Sequence, residues 1–234
     1  MKKVTDHKQQ RTMIIAEDGW VIHGELFGDR EASAKHSALL VPASKHERDS
    51  YGPSLLTELI SRGFLVMTTD IRGRGDSCEP FSFRFLPPGE TQKIRGDISL
   101  EVQNLLNQPG IKEGELILVG EQDTADAVAV AASLDGRVGA LILISPRLSQ
   151  NSIALLSRRD FPICVLASKE DHDGLVSAVA AYYNSPNKRS RLRLVSEVGS
   201  GTTMFSAWQF FRSSETTLES WLAAWGKYAL TKSE

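Results

Sequence analysis

Residues 115–134 read ELILVGEQDTADAVAVAASL, and this stretch decides the fold. Its first part, residues 116–119, is a short apolar run typical of a buried strand. Gly120 interrupts the run, and the small residues from 125 to 132 predict a helix that packs closely on a sheet. A strand, a sharp turn and a helix in this order indicate an α/β architecture.

The segments on either side extend the same alternation. Asp18-Gly19 lies between two apolar segments and predicts a β-hairpin. A charge-rich loop spans residues 29–35. Ser50 is predicted to cap the helix that begins after it. Strands alternating with helices predict a mostly parallel sheet of about seven or eight strands with helices on both faces. Further strands are predicted from apolar runs at 38–41, 64–67, 141–144, 163–166 and 192–195.

Composition excludes several classes of protein. The chain has 234 residues, 41% of them hydrophobic and 24% charged, and a net charge of -2, so no electrostatic argument favours nucleic acid or an anionic membrane. No apolar run approaches the roughly 20 residues that span a bilayer, and no apolar core follows the charged N-terminus. Cys78 and Cys164 fit no disulfide framework or metal spacing. We therefore expect a cytoplasmic protein that binds neither nucleic acid nor membrane.

Four signatures carry a resemblance to a known family. They are Ser50-Tyr51-Gly52, Gly63-Phe64, the segment DIRGRGDS at 70–77, and Ser145-Pro146. With the hairpin and the central strand and helix, they resemble the α/β-hydrolase superfamily, specifically its small dienelactone hydrolases and serine-aminopeptidase-like esterases. The resemblance implies one domain over residues 1–234. It also implies no large lid, because the segment between residues 146 and 161 is short.

The family's functional positions are substituted in this chain. The motif G-x-S-x-G falls on residues 120–124, which read GEQDT, and no histidine follows His172. The resemblance implies that Gln122 stands at the nucleophile position, Asp171 at the acid position and Ser200 at the base position. Thr124 replaces the second glycine of the motif, and Pro42-Ala43 replaces the family's His-Gly beside the oxyanion hole.

These substitutions predict that the catalytic triad is lost. An amide at position 122 supplies no nucleophile, and a serine at position 200 cannot accept a proton near neutral pH. Gln122, Asp171 and Ser200 are therefore predicted to be vestigial positions. Since Thr124 would crowd a strained turn, we expect a relaxed helix start instead, with Asp123 or Thr124 as the N-cap and Asp126 in the acidic first turn.

The same positions are the candidates for ligand binding, because open α/β sheets bind ligands at the carboxyl ends of their strands. They form either an open polar pocket, together with Glu121, or a filled, hydrogen-bonded relic. The function expected is a non-catalytic module that binds a small molecule or a protein partner, without a cofactor. The alternative is a hydrolase of small esters with His46 or His172 as an improvised base. The candidate ligand-binding residues are Pro42, Ala43, Gln122, Asp123, Asp171 and Ser200.

Other reactive side chains have simpler interpretations. Asp171-His172-Asp173 resembles a metal cluster, but adjacent positions rarely converge on one ion, so no metal site is predicted. Asp171 is instead expected to bond backbone amides or an arginine. His46 is expected to be a solvated loop residue, and Cys78 a small residue in a turn. Three arginines are expected to face solvent rather than to bind an anion: Arg147, Arg158 and Arg159. Most of the aromatic residues Trp208, Phe210 and Phe211 are expected in the core rather than on a partner surface.

Overall fold

The computed structural model describes residues 9–28, 36–211 and 216–231. The predicted charge-rich loop at 29–35 and the side chain of Phe211 lie outside the described residues. Within the described ranges, no helix combines the length and the apolar character that a membrane crossing requires.

The described strands form an eight-stranded sheet. They are β1 (Gln9–Ile15), β2 (Val21–Phe27), β3 (His36–Val41), β4 (Phe64–Thr69), β5 (Leu116–Glu121), β6 (Val138–Ile144), β7 (Ile163–Ser168) and β8 (Arg191–Val195). Their order is β1-β2-β4-β3-β5-β6-β7-β8. The hairpin strand β2 pairs antiparallel with β1 and β4, and the other neighbours pair in parallel. The predicted mostly parallel sheet is confirmed, with β5 between β3 and β6.

Helices cover both faces of this sheet, also as predicted. The described helices are α1 (Gly52–Ser61), α2 (Glu90–Leu106), α3 (Thr124–Leu134), α4 (Gln150–Leu156), α5 (His172–Asn184), α6 (Thr203–Phe211) and α7 (Leu218–Leu230). The buried side chains of α2 to α5 join one apolar core, and those of α1, α6 and α7 join the core on the opposite face. Between β6 and β7 the described chain holds only the seven-residue α4, so no large lid is inserted there.

Close packing explains the small residues that decide the fold. A Cβ on Gly120 would lie 2.9 Å from Cβ of Val128 and 3.0 Å from Cα of Ala125. Only glycine therefore lets α3 lie so near the end of β5. The alanines of α3 also allow the helix to lie close to the sheet, and most of them are buried.

One predicted cap is wrong. Helix α1 begins at Gly52, its N-cap is Tyr51, and no side chain caps it. Ser50 lies in the preceding turn, where its N–H donates to the carbonyl of Glu47. Its hydroxyl is buried there without a hydrogen-bond partner in the described chain, because this turn moves the start of the helix past it.

Candidate functional site

The turn at residues 120–124, called the elbow below, is strained rather than relaxed. Gln122 follows β5 directly and precedes α3, as predicted, but its φ of 47° is left-handed. Its N–H donates to the carbonyl of Ile144 at 2.9 Å, and its carbonyl accepts from the N–H of Arg147 at 2.9 Å. These two bonds, one to the last residue of β6 and one to the loop after it, hold the strained residue in place. The prediction of an ordinary helix start is therefore wrong.

Thr124 fits the elbow because its hydroxyl has partners. Its side chain is buried, and Oγ1 lies 2.8 Å from the carbonyl of Pro42 and 2.8 Å from that of Glu121. Asp123 is the N-cap of α3, as predicted, but its side chain does not cap the helix. Asp123 has helical dihedral angles and makes no cap bond, and its Oδ1 instead accepts from the N–H of Ser44 at 3.0 Å. Asp126 lies in the first turn of α3, as expected.

The side chain of Gln122 is enclosed at the nucleophile position. It is 8% exposed, and its Nε2 donates to the hydroxyl of Ser200 at 3.2 Å. Gly201 packs against it so closely that an added Cβ would lie 2.8 Å from Nε2. Gln122 and Ser200, which the sequence analysis predicted to be the nucleophile and base positions, therefore lie side by side and carry an amide and a hydroxyl.

Asp171 has the partners expected of an architectural residue. Its carboxylate accepts from Arg147 at 2.6 and 3.1 Å and from the N–H of Gly174 at 3.3 Å, which makes it the N-cap of α5. The prediction of an arginine and a backbone amide is confirmed for Asp171. Arg147 thus pairs with a buried carboxylate of this chain, while 33% of its side chain remains exposed. Within the described ranges, no group of three or more histidine, cysteine, aspartate or glutamate side chains could hold a metal ion.

Glu121, which the sequence analysis named only as a member of a possible polar pocket, joins the loops of the site. Its side chain is fully buried, yet it accepts from the N–H of Ala43 at 3.1 Å and from that of Thr202 at 2.6 Å. Nδ1 of His46 lies 3.1 Å from the same carboxylate, so His46 is anchored rather than free in a solvated loop. The available signal was an acidic residue at the end of a fully apolar strand, because a buried charge requires partners.

The predicted ligand-binding residues do not line one cleft. Pro42, Ala43 and Gln122 are buried, and Asp171 is paired to Arg147. Asp123 is exposed and lines a neighbouring cleft of about 500 Å³ between α2 and α3, which we call the Asp123 cleft. The other residues that line it are Ser44, Phe83, Thr91, Gln92, Ile94, Arg95, Thr124, Asp126, Ala127, Val130 and Asn151.

The remaining candidates divide between surface and core. Cys78 is exposed, and Trp208 is buried in the core as expected. Phe210 is 81% exposed, so one of the two described rings lies in the core and the other at the surface. Arg158 is exposed, as predicted.

Comparison with known proteins identifies the fold. No family model and no curated protein sequence matches this chain. Among solved structures, a dienelactone hydrolase from Anabaena variabilis superposes with a TM-score of 0.74 at 15% identity, covering 96% of this chain and 100% of that one. An esterase from Pyrococcus furiosus gives 0.70 at 12% identity, with 96% and 94% covered. A 2,6-dihydroxy-pseudo-oxynicotine hydrolase gives 0.71 at 14% identity, with 94% and 68% covered. The chain has the α/β-hydrolase fold, and at these identities the likeness concerns the fold alone.

Proposed function

We propose that this chain is a non-catalytic protein of the α/β-hydrolase fold that binds a small molecule in the Asp123 cleft. The observation that carries the proposal is the state of the loop between β3 and α1. The N–H of Ala43 donates to Glu121, and the N–H of Ser44 donates to Asp123. In hydrolases of this fold, an N–H of this loop helps to bind the negative oxygen that develops during acyl transfer.

Two carboxylates of the chain, one buried and one exposed, therefore stand where an oxyanion would need donors. Glu121 and Asp123 occupy the N–H groups, and their own negative charge opposes a second one nearby. Gln122 adds an amide whose protons are too weakly acidic to yield a nucleophile, and Ser200 accepts a hydrogen bond where a general base belongs. Nucleophile, base and oxyanion donors are thus altered together.

The Asp123 cleft supports the binding part of the proposal. Its volume of about 500 Å³ lies within the range of small-molecule sites. It opens beside the start of α3, at the carboxyl end of β5, where open α/β sheets bind their ligands. Apolar and polar side chains both line it. A protein-interaction role is the competing form of the same hypothesis, and it predicts that blocking the cleft has no effect.

The hydrolase alternative rests on His46. Glu121 fixes its Nδ1, as a carboxylate fixes the histidine of a catalytic triad. A base alone is insufficient, since Gln122 stands at the nucleophile position. The turnover experiment below decides between the two hypotheses.

We expect no turnover of activated aryl esters by the purified protein. Hydrolysis of p-nitrophenyl acetate by wild type should equal that by the His46→Ala variant, since neither has a nucleophile at the elbow. The two proteins are first compared for folding by circular dichroism. Turnover by wild type that His46→Ala abolishes would contradict the proposal and establish the hydrolase alternative.

Binding is tested by blocking the Asp123 cleft. Ala127 lines it, so Ala127→Trp should fill the space and abolish saturable binding of the compounds that stabilise wild type in a thermal-shift screen of small molecules. Ala154→Trp is the matched control, because Ala154 is exposed on α4 and lies outside the lining. Binding that persists unchanged in Ala127→Trp would place the ligand elsewhere and contradict the proposed site.

A further inference from the structure

We propose that the ligand of the Asp123 cleft is a zwitterion of the amino-acid type, with its ammonium group at Asp123 and Asp126 and its carboxylate at Arg95. This inference rests on the proposed function, because it assigns a chemical class to the ligand of the same cleft. The two walls of the cleft carry opposite charge. Asp123 and Asp126 lie at the start of α3, and Arg95 lies on α2.

The acidic wall is built and oriented by backbone bonds. Oδ1 of Asp123 accepts from the N–H of Ser44 at 3.0 Å, and Oδ1 of Asp126 accepts from the N–H of Ser149 at 2.7 Å and from the hydroxyl of Ser152. These bonds involve Oδ1, so Oδ2 of each carboxylate can accept from a ligand in the cleft that both residues line. Neither carboxylate forms an ion pair with a cation of the described chain. An ammonium group would supply an opposite charge to both carboxylates and donors to their Oδ2 atoms.

The basic wall is Arg95. Its side chain is exposed, and within the described part of the chain its guanidinium has neither an ion-pair partner nor a hydrogen-bond acceptor. Exposed arginines are common, but Arg95 lines the cleft that the two carboxylates also line. A planar guanidinium binds a carboxylate through two parallel hydrogen bonds, which fixes the ligand's orientation as well as its charge.

The apolar part of the lining selects the rest of the ligand. Phe83, Ile94, Ala127 and Val130 are apolar members of the lining. Each exposed ion pair contributes little by itself, so affinity requires both charged ends and an apolar side chain together. A branched aliphatic amino acid such as leucine satisfies all three conditions, whereas its decarboxylated or deaminated analogue satisfies two.

Isothermal titration calorimetry with three probes of equal side chain tests this inference. The probes are L-leucine, 3-methylbutylamine, which lacks the carboxylate, and 4-methylpentanoate, which lacks the ammonium group. We expect leucine to bind roughly tenfold more tightly than either analogue, because each analogue loses one charge-assisted contact.

Isosteric variants assign the two ends. Asp123→Asn and Asp126→Asn keep an oxygen that accepts from the same backbone N–H groups. Each should weaken the binding of leucine, while 4-methylpentanoate should bind as tightly as to wild type or more tightly. Arg95→Gln should weaken the binding of leucine and leave the affinity for 3-methylbutylamine unchanged. Asp173→Asn and Arg158→Gln are the matched controls, since both residues are exposed and lie outside the cleft.

Three results would overturn the inference. They are the amine binding as tightly as leucine, the acid binding as tightly as leucine, or no binding by leucine or any other standard amino acid. The proposed function fails separately. It survives each of these results if another compound binds wild type and Ala154→Trp but not Ala127→Trp.

Discussion

At the scale of single residues, Glu121 joins the loops of the candidate site. One buried carboxylate holds the loop after β3 through Ala43 and His46, and the loop after β8 through Thr202. A buried acid is stable only when its oxygens are hydrogen-bonded, and these three donors meet that requirement. The same bonds remove Ala43 from the donors that an oxyanion would use.

Replacing this carboxylate by an amide should destabilise the protein. In Glu121→Gln, an N–H₂ group must face a backbone N–H or the ring of His46, so at least one buried donor loses its acceptor. We expect the free energy of unfolding to fall by about 1–3 kcal/mol, or roughly 2–4 °C in melting temperature for each kcal/mol at this chain length. Urea unfolding measures the change.

Glu113→Gln is the control for that experiment, because Glu113 is exposed. It should unfold at the wild-type urea concentration. Equal stability of wild type and Glu121→Gln would show that the three contacts of Glu121 contribute no net stability.

At the scale of elements, the elbow and its flanking loops act as one unit. Gln122→Ser alone should therefore not produce hydrolysis, because Ser200 still stands at the base position and Ala43 still donates to Glu121. Catalytic residues that act together are strongly non-additive. The combination of Gln122→Ser, Thr124→Gly and Ser200→His should hydrolyse p-nitrophenyl acetate faster than any single variant, although weakly.

The control for this series combines Gln122→Ala with Thr124→Gly and Ser200→His. It lacks the nucleophile and should be inactive. Each variant is checked for cooperative unfolding, since Thr124→Gly removes the hydroxyl that lies between two carbonyls. Gln122→Ser alone matching the triple variant would mean that a base is already in place, and His46→Ala in that background would identify it.

The elements themselves were predictable because their signals are local. The apolar run before Gly120 and the small residues after it placed Gln122 correctly between strand and helix. The strain at Gln122 was not predictable, since local preference favours a relaxed helix start and the bonds to Ile144 and Arg147 override it. The partners of Glu121 were equally hidden, because Ala43 and Thr202 are distant in sequence and converge only in the fold.

At the scale of the whole molecule, a buried ionic network joins the hairpin to the sheet and to α2. Arg72 follows β4, and its guanidinium binds Asp97 at 2.7 and 2.6 Å, Asp18 of the hairpin turn at 2.8 Å and Glu90 at 2.6 Å. It also lies 5.0 Å from the ring centroid of Trp20. The hydrogen bond from Arg72 lowers the pKa of Asp18 well below its usual range. Sequence alone indicated the segment that contains Arg72, but not these partners.

Glu101 lies close to this network and gives the protein a pH-dependent stability. Its side chain is buried, and the hydroxyl of Thr69 is its hydrogen-bond partner. Burial, together with the charges of Asp97 and Asp70, raises the pKa of Glu101 to about 8, while the bond from Thr69 opposes this shift. The unfolded carboxyl titrates near 4.5. Between these values the folded state therefore holds a proton that the unfolded state has lost.

Stability should consequently fall as pH rises from about 4.5 to 8, by at most about 1.4 kcal/mol for each pH unit, and level off above pH 8. Glu101→Gln removes this contribution, since an amide stays neutral and can still accept from Thr69. Urea unfolding of wild type and variant at pH 5, 6, 7 and 8, roughly the interval between the two pKa values, isolates the effect. Other carboxyls with altered pKa values affect the stability of both proteins equally. The free energy of unfolding of the variant should therefore rise relative to that of wild type at each step in pH. A stability difference that stays constant over this interval would mean that Glu101 is already ionised in the folded protein at pH 5.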